Sequence, residues 1–251
     1  MAARGKQMAS VSAFSVNILQ KAYGSGEGSR LAIAGLSFEV REGELVCVLG
    51  PSGAGKTTTL NIIAGLDANF EGKVAFRDAR PQRLSYVFQD PRLLPWRTLI
   101  ENVALPLKGK TDALAIAATW LDRVGLSGGH QLYPGQASVG MQRRASLARA
   151  FAFGPTVLLM DEPFVSLDEK AARELRSLFT ALWKAERVTT LFVTHNVAEA
   201  AELATRVLVF SASPARVAAD IDIRREEASG DSAELFLRSA LDAADASHSH
   251  S

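Results

Sequence analysis

The N-terminal part of the chain alternates apolar and polar residues in two stretches, Phe14–Leu19 and Leu31–Val40, with a glycine-rich turn between them. Alternation with a period of two is typical of half-buried β-strands, so it predicts a small antiparallel β-structure at the N-terminus. A short apolar run, Leu45–Leu49, follows between Gly43 and Gly50. This run predicts a strand that is buried on both faces of a larger sheet.

The pattern beyond Gly50 has three parts. A helix and two strands come first, predicted at Lys56–Ala64, Lys73–Arg77 and Leu84–Phe88. Residues 90–153 then show helical periodicity in Leu99–Leu105, Asp112–Val124 and Gly140–Phe153. Strands are predicted again at Val157–Met160, Thr190–Thr194 and Arg206–Phe210, in alternation with helices at Glu169–Glu186 and Val197–Leu203. This order favours an α/β core with a mostly parallel sheet and an inserted helical subdomain at about residues 90–153.

The C-terminal part, residues 212–251, is predicted to be a short extension that is partly disordered. It becomes polar from residue 224 and contains one amphipathic stretch, Ala233–Leu241. Two histidines near the end, His248 and His250, are of a type that binds metals. We expect them to belong to a solvated terminus instead, because chain ends of this composition are usually poorly ordered.

Composition excludes several classes of protein. The chain has 251 residues, and its 28 Lys and Arg against 27 Asp and Glu give a net charge of +1, so we expect no nucleic-acid partner. The single cysteine, Cys47, cannot form an internal disulfide. The longest apolar run has six residues, Ala113 to Ala118, whereas a membrane-spanning helix needs ~20. The N-terminus lacks the apolar core of a secretory signal, so a cytoplasmic location is expected.

One stretch matches the pattern G-x-x-x-x-G-K-S/T of a phosphate-binding P-loop. It consists of Gly50, Pro51, Ser52, Gly53, Ala54, Gly55, Lys56 and Thr57, and Thr58 follows it. A buried strand precedes it and a helix follows, which is the context that the motif requires. Backbone N–H groups would bind phosphate oxygens, Lys56 would neutralise the β- and γ-phosphates, and Thr57 would bind Mg²⁺. The alternative is a simple glycine-rich turn with an exposed lysine.

Two carboxylates end a predicted strand further along, in the sequence VLLMDE. A strand of an α/β sheet delivers residues at its carboxyl end to the edge where ligands bind. Asp161 would therefore hold Mg²⁺ through water, and Glu162 would orient or deprotonate an attacking water. A solvated strand end is the alternative, but the P-loop upstream makes the chemical interpretation the stronger one.

Together these motifs resemble the ATP-binding subunits of ABC transporters over roughly residues 14–211, predicted as the ATP-binding domain. Four further matches support the resemblance: Tyr23, Gln89 in VFQD, His195 in VTHN, and the sequence Ser166, Leu167, Asp168 of a D-loop. The resemblance implies a P-loop NTPase core that binds ATP and Mg²⁺. It also implies that Tyr23 stacks on adenine, that Gln89 senses Mg²⁺, water and a transmembrane partner, and that His195 contacts the γ-phosphate. Ordinary structural roles for these three residues are the alternatives.

The chain departs from the family at its signature sequence, LSGGQ or LSGGM. The aligned residues are Ala137, Ser138, Val139, Gly140 and Met141, so Ser138 and Gly140 are present but valine replaces the first glycine. In the family this segment binds the γ-phosphate of ATP that is held by the other subunit of a dimer. The departure puts the efficiency of that composite site in doubt.

A segment just after Gln89 indicates a subfamily. The sequence LLPWRT at residues 93–98, followed by Glu101, Asn102 and Val103, resembles importers of the nitrate, sulfonate and taurine type. In the family this region contacts the membrane subunit, whereas the alternative is that Trp96 is a packed core aromatic.

The resemblance implies an ATPase that energises a membrane importer for a small anion or organic solute. Two ATPase subunits would pair, identical or not, and bind permease subunits on the inner face of the cell membrane. A substrate-binding protein would be an indirect partner. The alternative is a non-transport ATP switch or a regulatory nucleotide-binding module.

Overall fold

A computed structural model describes residues 11–24, 28–77, 83–223 and 230–246. Its first layer is a three-stranded antiparallel sheet of β1 (Ser12–Tyr23), β2 (Arg30–Arg41) and β4 (Glu71–Phe76), in the order β2-β1-β4. Phe14 and Ile18 alternate with more exposed residues along β1 and are fully buried, as the period of two predicts. The antiparallel N-terminal structure is therefore confirmed.

The second layer is a six-stranded sheet in the order β5-β6-β7-β3-β8-β9. Its strands are β3 (Leu45–Leu49), β5 (Leu84–Val87), β6 (Val157–Asp161), β7 (Thr189–Thr194), β8 (Arg206–Phe210) and β9 (Val217–Ile221). The first five in spatial order are parallel, and β9 runs antiparallel to β8. Every residue of β3 is buried, since apolar groups cover both faces of the sheet. The mostly parallel core is thus confirmed.

Four helices pack on this core: α1 (Lys56–Ile63), α5 (Glu169–Glu186), α6 (Val197–Leu203) and α7 (Gly230–Ala246). The bounds of α5 equal the predicted ones because clear stops flank it. Asp168 caps its N-terminus by accepting a hydrogen bond from the backbone N–H of Ala171 at 2.9 Å. Arg187 ends the helix in the left-handed conformation, with a φ of 53°.

The inserted subdomain contains α2 (Leu99–Ala104), α3 (Ala113–Arg123) and α4 (Val139–Ala152), with 3₁₀ turns at Leu105–Leu107 and Pro134–Gln136. The three helices pack against one another around a shared apolar core. Thr98 and Glu101 form a reciprocal capping box at the start of α2. The helical insertion is confirmed, although α3 and α4 begin one residue away from the predicted positions, at Ala113 and Val139.

The C-terminal part holds more regular structure than its pattern indicates. The strand β9 was not predicted, because its sequence VAADI has one central carboxylate and two alanines, which are poor strand formers. The predicted amphipathic stretch Ala233–Leu241 lies within the longer helix α7, which packs on α6. His248 and His250 lie outside the described residues, and the boundary of the ATP-binding domain at residue 211 stays a prediction.

Candidate active site

The loop of residues 50–55 joins β3 to α1 and has the shape that a phosphate cradle needs. Gly55 caps α1 with a φ of 74°, in the left-handed region that glycine adopts without strain. At Gly50 a Cβ atom would lie 3.0 Å from the carbonyl oxygen of Phe210, so the loop packs closely against β8 there. The N-terminal N–H groups of α1 consequently face an open cleft and carry the partial positive charge of a helix start.

Lys56 brings a full positive charge to the same loop. Its side chain is only 6% exposed, and Nζ donates hydrogen bonds to the carbonyl oxygens of Gly50 and Pro51, both at 2.8 Å. Burial lowers the pKa of Lys56, while the nearby carboxylates of Glu162 and Asp161 act in the opposite direction. The ammonium group of Lys56 is therefore bound by two neutral carbonyl oxygens, and the oxygens of a bound phosphate can replace them.

Thr57 and Asp161 form an oxygen pair at the edge of the loop. Thr57 Oγ1 donates to Asp161 Oδ1 at 3.1 Å, across the gap between α1 and the end of β6. Burial raises the pKa of Asp161, and the hydrogen bond from Thr57 offsets part of that shift. A hydroxyl beside a carboxylate is a donor set that suits Mg²⁺, which prefers oxygen ligands, so these residues fit the ion.

Glu162 and His195 lie together on the other side of the cleft. Glu162 follows β6 with a φ of 43°, and its backbone N–H donates to the carbonyl oxygen of Val193 at 3.1 Å. Nδ1 of His195 lies 3.2 Å from Glu162 Oε1. A positive φ at a residue other than glycine is strained, and such strain concentrates at functional sites. Glu162 lines the same cleft as Lys56 and Thr57.

Gln89 lies in an adjoining groove of about 600 Å³. Thr57 and Asp161 line this groove too, so the structure brings Gln89 to the same region as the oxygen pair. The backbone carbonyl oxygen of Gln89 accepts a hydrogen bond from Nη1 of Arg143 on α4. This contact ties the Gln89 loop to the inserted subdomain.

Tyr23 stands at the mouth of the cleft. It is 45% exposed, which does not fit the alternative of an ordinary core residue. Its hydroxyl lies 3.1 Å from Thr58 Oγ1, and the ammonium group of Lys21 lies 4.5 Å from the ring centroid. The ring lines a cleft of about 280 Å³ together with Ser52 and Gly53 of the P-loop. A planar base attached to phosphates in the loop would therefore come near this ring.

The signature residues lie away from this cleft. Ser138 caps α4, its Oγ accepting a hydrogen bond from the backbone N–H of Met141 at 3.2 Å. Ser138 and Gly140 line a different groove, which they share with Leu167. Val139 is 53% exposed, so its branched side chain stands on the surface. The structure does not bring Ser138 and Gly140 to the P-loop of the same chain.

The segment after Gln89 presents an aromatic side chain on a fixed loop. Trp96 is 70% exposed, so it is not the packed aromatic of the alternative interpretation. Buried Asn102 holds the loop: its Nδ2 donates to the carbonyl oxygens of Leu94, Arg97 and Thr98, and its Oδ1 accepts from the N–H of Leu94 at 2.7 Å. A rigid loop with an exposed tryptophan is suited to protein binding.

Sequence reasoning missed several residues of the site. The hydroxyl of Tyr86 lies 3.4 Å from Asp161 Oδ2 and 3.3 Å from Asn61 Oδ1. Glu199, buried in α6, accepts a hydrogen bond from Thr194 Oγ1 at 2.7 Å, just before His195, and burial raises its pKa. No local pattern marks Tyr86, because its contacts join residues that are 25 and 75 positions apart. Glu199 is only five residues from Thr194, but the sequence does not show that its carboxylate is buried.

Comparison with known proteins agrees with this geometry. Residues 33–165 match the family described as ABC transporter. An uncharacterised ABC transporter ATP-binding protein of Methanocaldococcus jannaschii is 44% identical over 200 residues, 76% of this chain and 74% of that protein. An aliphatic sulfonates import ATP-binding protein of Granulibacter bethesdensis is 42% identical over 217 residues, 85% of this chain and 88% of that protein.

A solved structure is similar as well. It is the dimer of an ATP-binding cassette in a post-hydrolysis state with ADP and phosphate, with a TM-score of 0.75 and 30% identity. The match covers 84% of this chain and 99% of that one. The chain belongs to the ABC transporter family, as an ATP-binding subunit of the importer type whose ATPase activity is coupled to transport. Among the helices of the described ranges, none has the length and apolar character to cross a membrane.

Proposed function

We propose that this chain hydrolyses ATP with the residues of the P-loop cleft and thereby energises an importer for a small anionic solute. The observation that carries the proposal is that three groups meet around the P-loop. These are the buried Lys56 in its loop, the Thr57–Asp161 oxygen pair and the Glu162–His195 pair. Lys56 supplies positive charge that neutralises the phosphates, Thr57 and Asp161 supply oxygen ligands for a metal ion, and Glu162 supplies a carboxylate that activates water.

Lys56 and the loop bind the phosphates. The N–H groups at the start of α1 bind phosphate oxygens, and Lys56 exchanges its two carbonyl partners for the β- and γ-phosphates. Thr57, Asp161 and Gln89 would hold Mg²⁺, which neutralises charge that develops on the phosphates. Tyr23 stacks on the adenine, and Thr58 fixes the hydroxyl of that ring.

Glu162 and His195 act at the γ-phosphate. Glu162 orients the attacking water or accepts its proton, and its strained backbone fixes the carboxylate in the cleft. The imidazole of His195 lies within hydrogen-bond distance of that carboxylate and also contacts the γ-phosphate. Positioning and charge stabilisation dominate phosphoryl transfer, so the chain needs no covalent catalyst.

Two ATPase subunits complete the site. Because Ser138 and Gly140 lie in a groove apart from the P-loop of their own chain, we propose that they bind the γ-phosphate held by a second subunit. The similar solved structure is a dimer, which supports this arrangement. If the two subunits are identical, the interface is isologous and contains two composite sites.

The exposed Trp96 is proposed to dock on a permease at the inner face of the cell membrane. It follows Gln89 in the chain, so docking can change the groove that Gln89 shares with Asp161. Relatives from Granulibacter bethesdensis and Bacillus cereus are named aliphatic sulfonates import ATP-binding proteins, which supports a sulfonate, taurine or nitrate type of solute. A substrate-binding protein would deliver that solute to the permease.

Steady-state hydrolysis by the purified chain tests the catalytic assignment. Glu162→Gln should retain nucleotide binding and lose at least about a hundredfold in turnover, since a positioned general base contributes that much. Glu39→Gln is the matched control. Glu39 lies exposed on the antiparallel sheet, so this variant should hydrolyse ATP normally. Normal turnover in Glu162→Gln would assign the base to another residue.

Uptake by whole cells tests the import assignment. Cells that carry the chain with Lys56→Ala as their only copy should lose uptake of one of three labelled solutes, an aliphatic sulfonate, taurine or nitrate. Cells with the wild-type chain provide the control. Unchanged uptake of all three would exclude this class of solute while leaving the ATPase assignment intact.

A further inference from the structure

Two arginines of α4 hold the loop that contains Gln89 by its backbone. Arg143 Nη1 donates to the carbonyl oxygen of Gln89. Six residues later, Arg149 donates to the carbonyl oxygens of Pro91 and Arg92, at 2.6 and 2.9 Å. The side chains span residues 89–92, which we call the Q-loop segment. This segment is thus fastened to the helix that begins at the signature.

Arg143 has a second attachment that Arg149 lacks. Its Nη2 donates to the carbonyl oxygen of Val165 at 3.2 Å. The backbone N–H of Val165 in turn donates to the carbonyl oxygen of Glu162 at 3.3 Å and closes a turn that starts at the proposed catalytic carboxylate. One guanidinium group therefore connects the signature helix, the Q-loop segment and the Glu162 turn.

The environment of Arg143 is costly for a charged group. The residue is 6% exposed, and burial lowers its pKa while the charge of Asp90 acts in the opposite direction. Within the described parts of the chain it forms no ion pair with a carboxylate, and its Nε has no hydrogen-bond partner. Neutral carbonyl oxygens alone compensate little of the desolvation of a buried charge. The buried guanidinium group of Arg143 is therefore an inefficient means of stabilising the fold, which favours a functional role for it.

Arg123, at the end of α3 in the same inserted subdomain, shows the ordinary alternative. Its Nη2 forms an ion pair with Glu186 at 2.8 Å, and its guanidinium group lies 3.9 Å from the ring centroid of Trp120. Neither of these contacts reaches the Q-loop segment or the Glu162 turn. Arg144 is not a suitable control, because it lines the groove of Ser138 and Gly140. Arg123 has the charge and size of Arg143 but different attachments, which makes it the control.

We propose that Arg143 is a positioning residue that sets the geometry of the composite active site. It keeps the Q-loop segment, the Glu162 turn and the N-terminus of α4 in one arrangement when two copies close on ATP. Arg143 lies five residues after Ser138, about one and a half helical turns, so a displacement at Gln89 moves the signature as well. This inference rests on the proposed function, and it adds a link between the permease-facing segment and the signature.

The test uses three variants of the full chain. Arg143→Gln removes the charge and shortens the side chain. Arg143→Lys keeps the charge but has no planar guanidinium group that could bind two carbonyl groups at once. Arg123→Gln is the control. Three quantities are measured for each variant: the affinity of a fluorescent ATP analogue for the monomer, kcat and KM for ATP hydrolysis, and ATP-dependent dimerisation in a Glu162→Gln background.

We expect Arg143→Gln to bind the analogue normally, because the P-loop lies on the other subdomain. Its kcat should fall at least about tenfold, equal to about 1.4 kcal/mol, with KM little changed and dimerisation weakened. The kcat of Arg143→Lys should lie between those of Arg143→Gln and the wild type, and Arg123→Gln should equal the wild type. If Arg143→Gln does not fold, the intermediate kcat of Arg143→Lys decides the question.

Two results would overturn the inference. One is wild-type kcat and dimerisation in Arg143→Lys and Arg143→Gln. The other is an equal loss in Arg123→Gln, which would mean that loss of any arginine of this subdomain acts through stability alone. Failure of the proposed function would look different, because the Glu162→Gln chain with an intact Arg143 would then hydrolyse ATP or fail to dimerise.

Discussion

Replacing Val139 by glycine restores the glycine that this chain lacks in its family's signature. Valine is the first residue of α4, follows the capping Ser138 and is 53% exposed. Little apolar surface is therefore lost on substitution, and the stability cost is the helix propensity difference of a few tenths of a kcal/mol. For a chain of this size, such a cost lowers Tm by about 1–2 °C.

The expected gain in catalysis is larger than this cost. A branched Cβ at residue 139 keeps the backbone N–H groups of the signature from a close approach to phosphate, which glycine would permit. One well-placed donor in such a site contributes ~3 kcal/mol, or about a hundredfold in rate. Ser138 and Gly140 remain as donors. We therefore expect Val139→Gly to raise turnover several-fold rather than a hundredfold.

The assay is steady-state ATP hydrolysis by the wild type, Val139→Gly and Val139→Ala, with nucleotide affinity measured on the monomer. Alanine removes the branch but keeps Cβ and improves helix propensity, so its rate should lie between the other two. Nucleotide affinity should not change, because Val139 does not line the cleft of Tyr23 and Lys56, although it lines the adjoining groove that contains Gln89. An unchanged or lower rate in Val139→Gly would refute the argument, since it would mean that the backbone already approaches the phosphate with valine in place.

Three further substitutions or conditions should act on separate parts of the site. Lys56→Ala should abolish hydrolysis and weaken binding of a fluorescent ATP analogue, and near-normal turnover would contradict the P-loop assignment. Because burial raises the pKa of Asp161, the chain should bind Mg²⁺ at neutral pH and lose this affinity on acidification at a higher pH than an exposed aspartate would. Mg²⁺ titrations of the ATPase at several pH values measure this loss. A loss of affinity only at the lower pH where an exposed aspartate is protonated would contradict the prediction. Trp96→Ala should leave the ATPase of the isolated chain unchanged but reduce co-purification with the permease, and equal recovery of the permease would exclude Trp96 from the docking surface.

Local patterns were sufficient for most of the fold. The strand Leu45–Leu49 and the helix Glu169–Glu186 have the predicted bounds. Burial of the strand on both faces requires a continuous apolar run, and the cap of the helix requires a residue such as Asp168, so both bounds can be recognised in the sequence. The P-loop is equally local, since the cradle needs glycine at fixed spacing. The strand β9 has no such pattern: its two alanines and Asp220 are poor strand formers, and its pairing with β8 places it in the sheet.

The contacts between residues of the site could not be predicted from local patterns. Thr57 and Asp161 were each predicted from their own motifs, but their 3.1 Å contact depends on how α1 and β6 pack. Tyr86 and Arg143 lie outside the predicted motifs. Tyr86 contacts Asp161 and Arg143 contacts Gln89, and the two residues of each pair are more than 50 positions apart in the sequence. Periodicity shows which face of an element is buried, and it carries no information on which loops meet at the edge of the sheet.

The most direct test of the account is size-exclusion chromatography of Glu162→Gln with Mg²⁺ and ATP. If Glu162 activates water in a site shared by two copies, the variant should bind ATP without hydrolysing it and elute as a dimer. It should elute as a monomer without nucleotide. Glu39→Gln, which still hydrolyses ATP, should not accumulate that dimer. A Glu162→Gln chain that remains monomeric at saturating ATP, or hydrolyses ATP at the wild-type rate, would contradict the account.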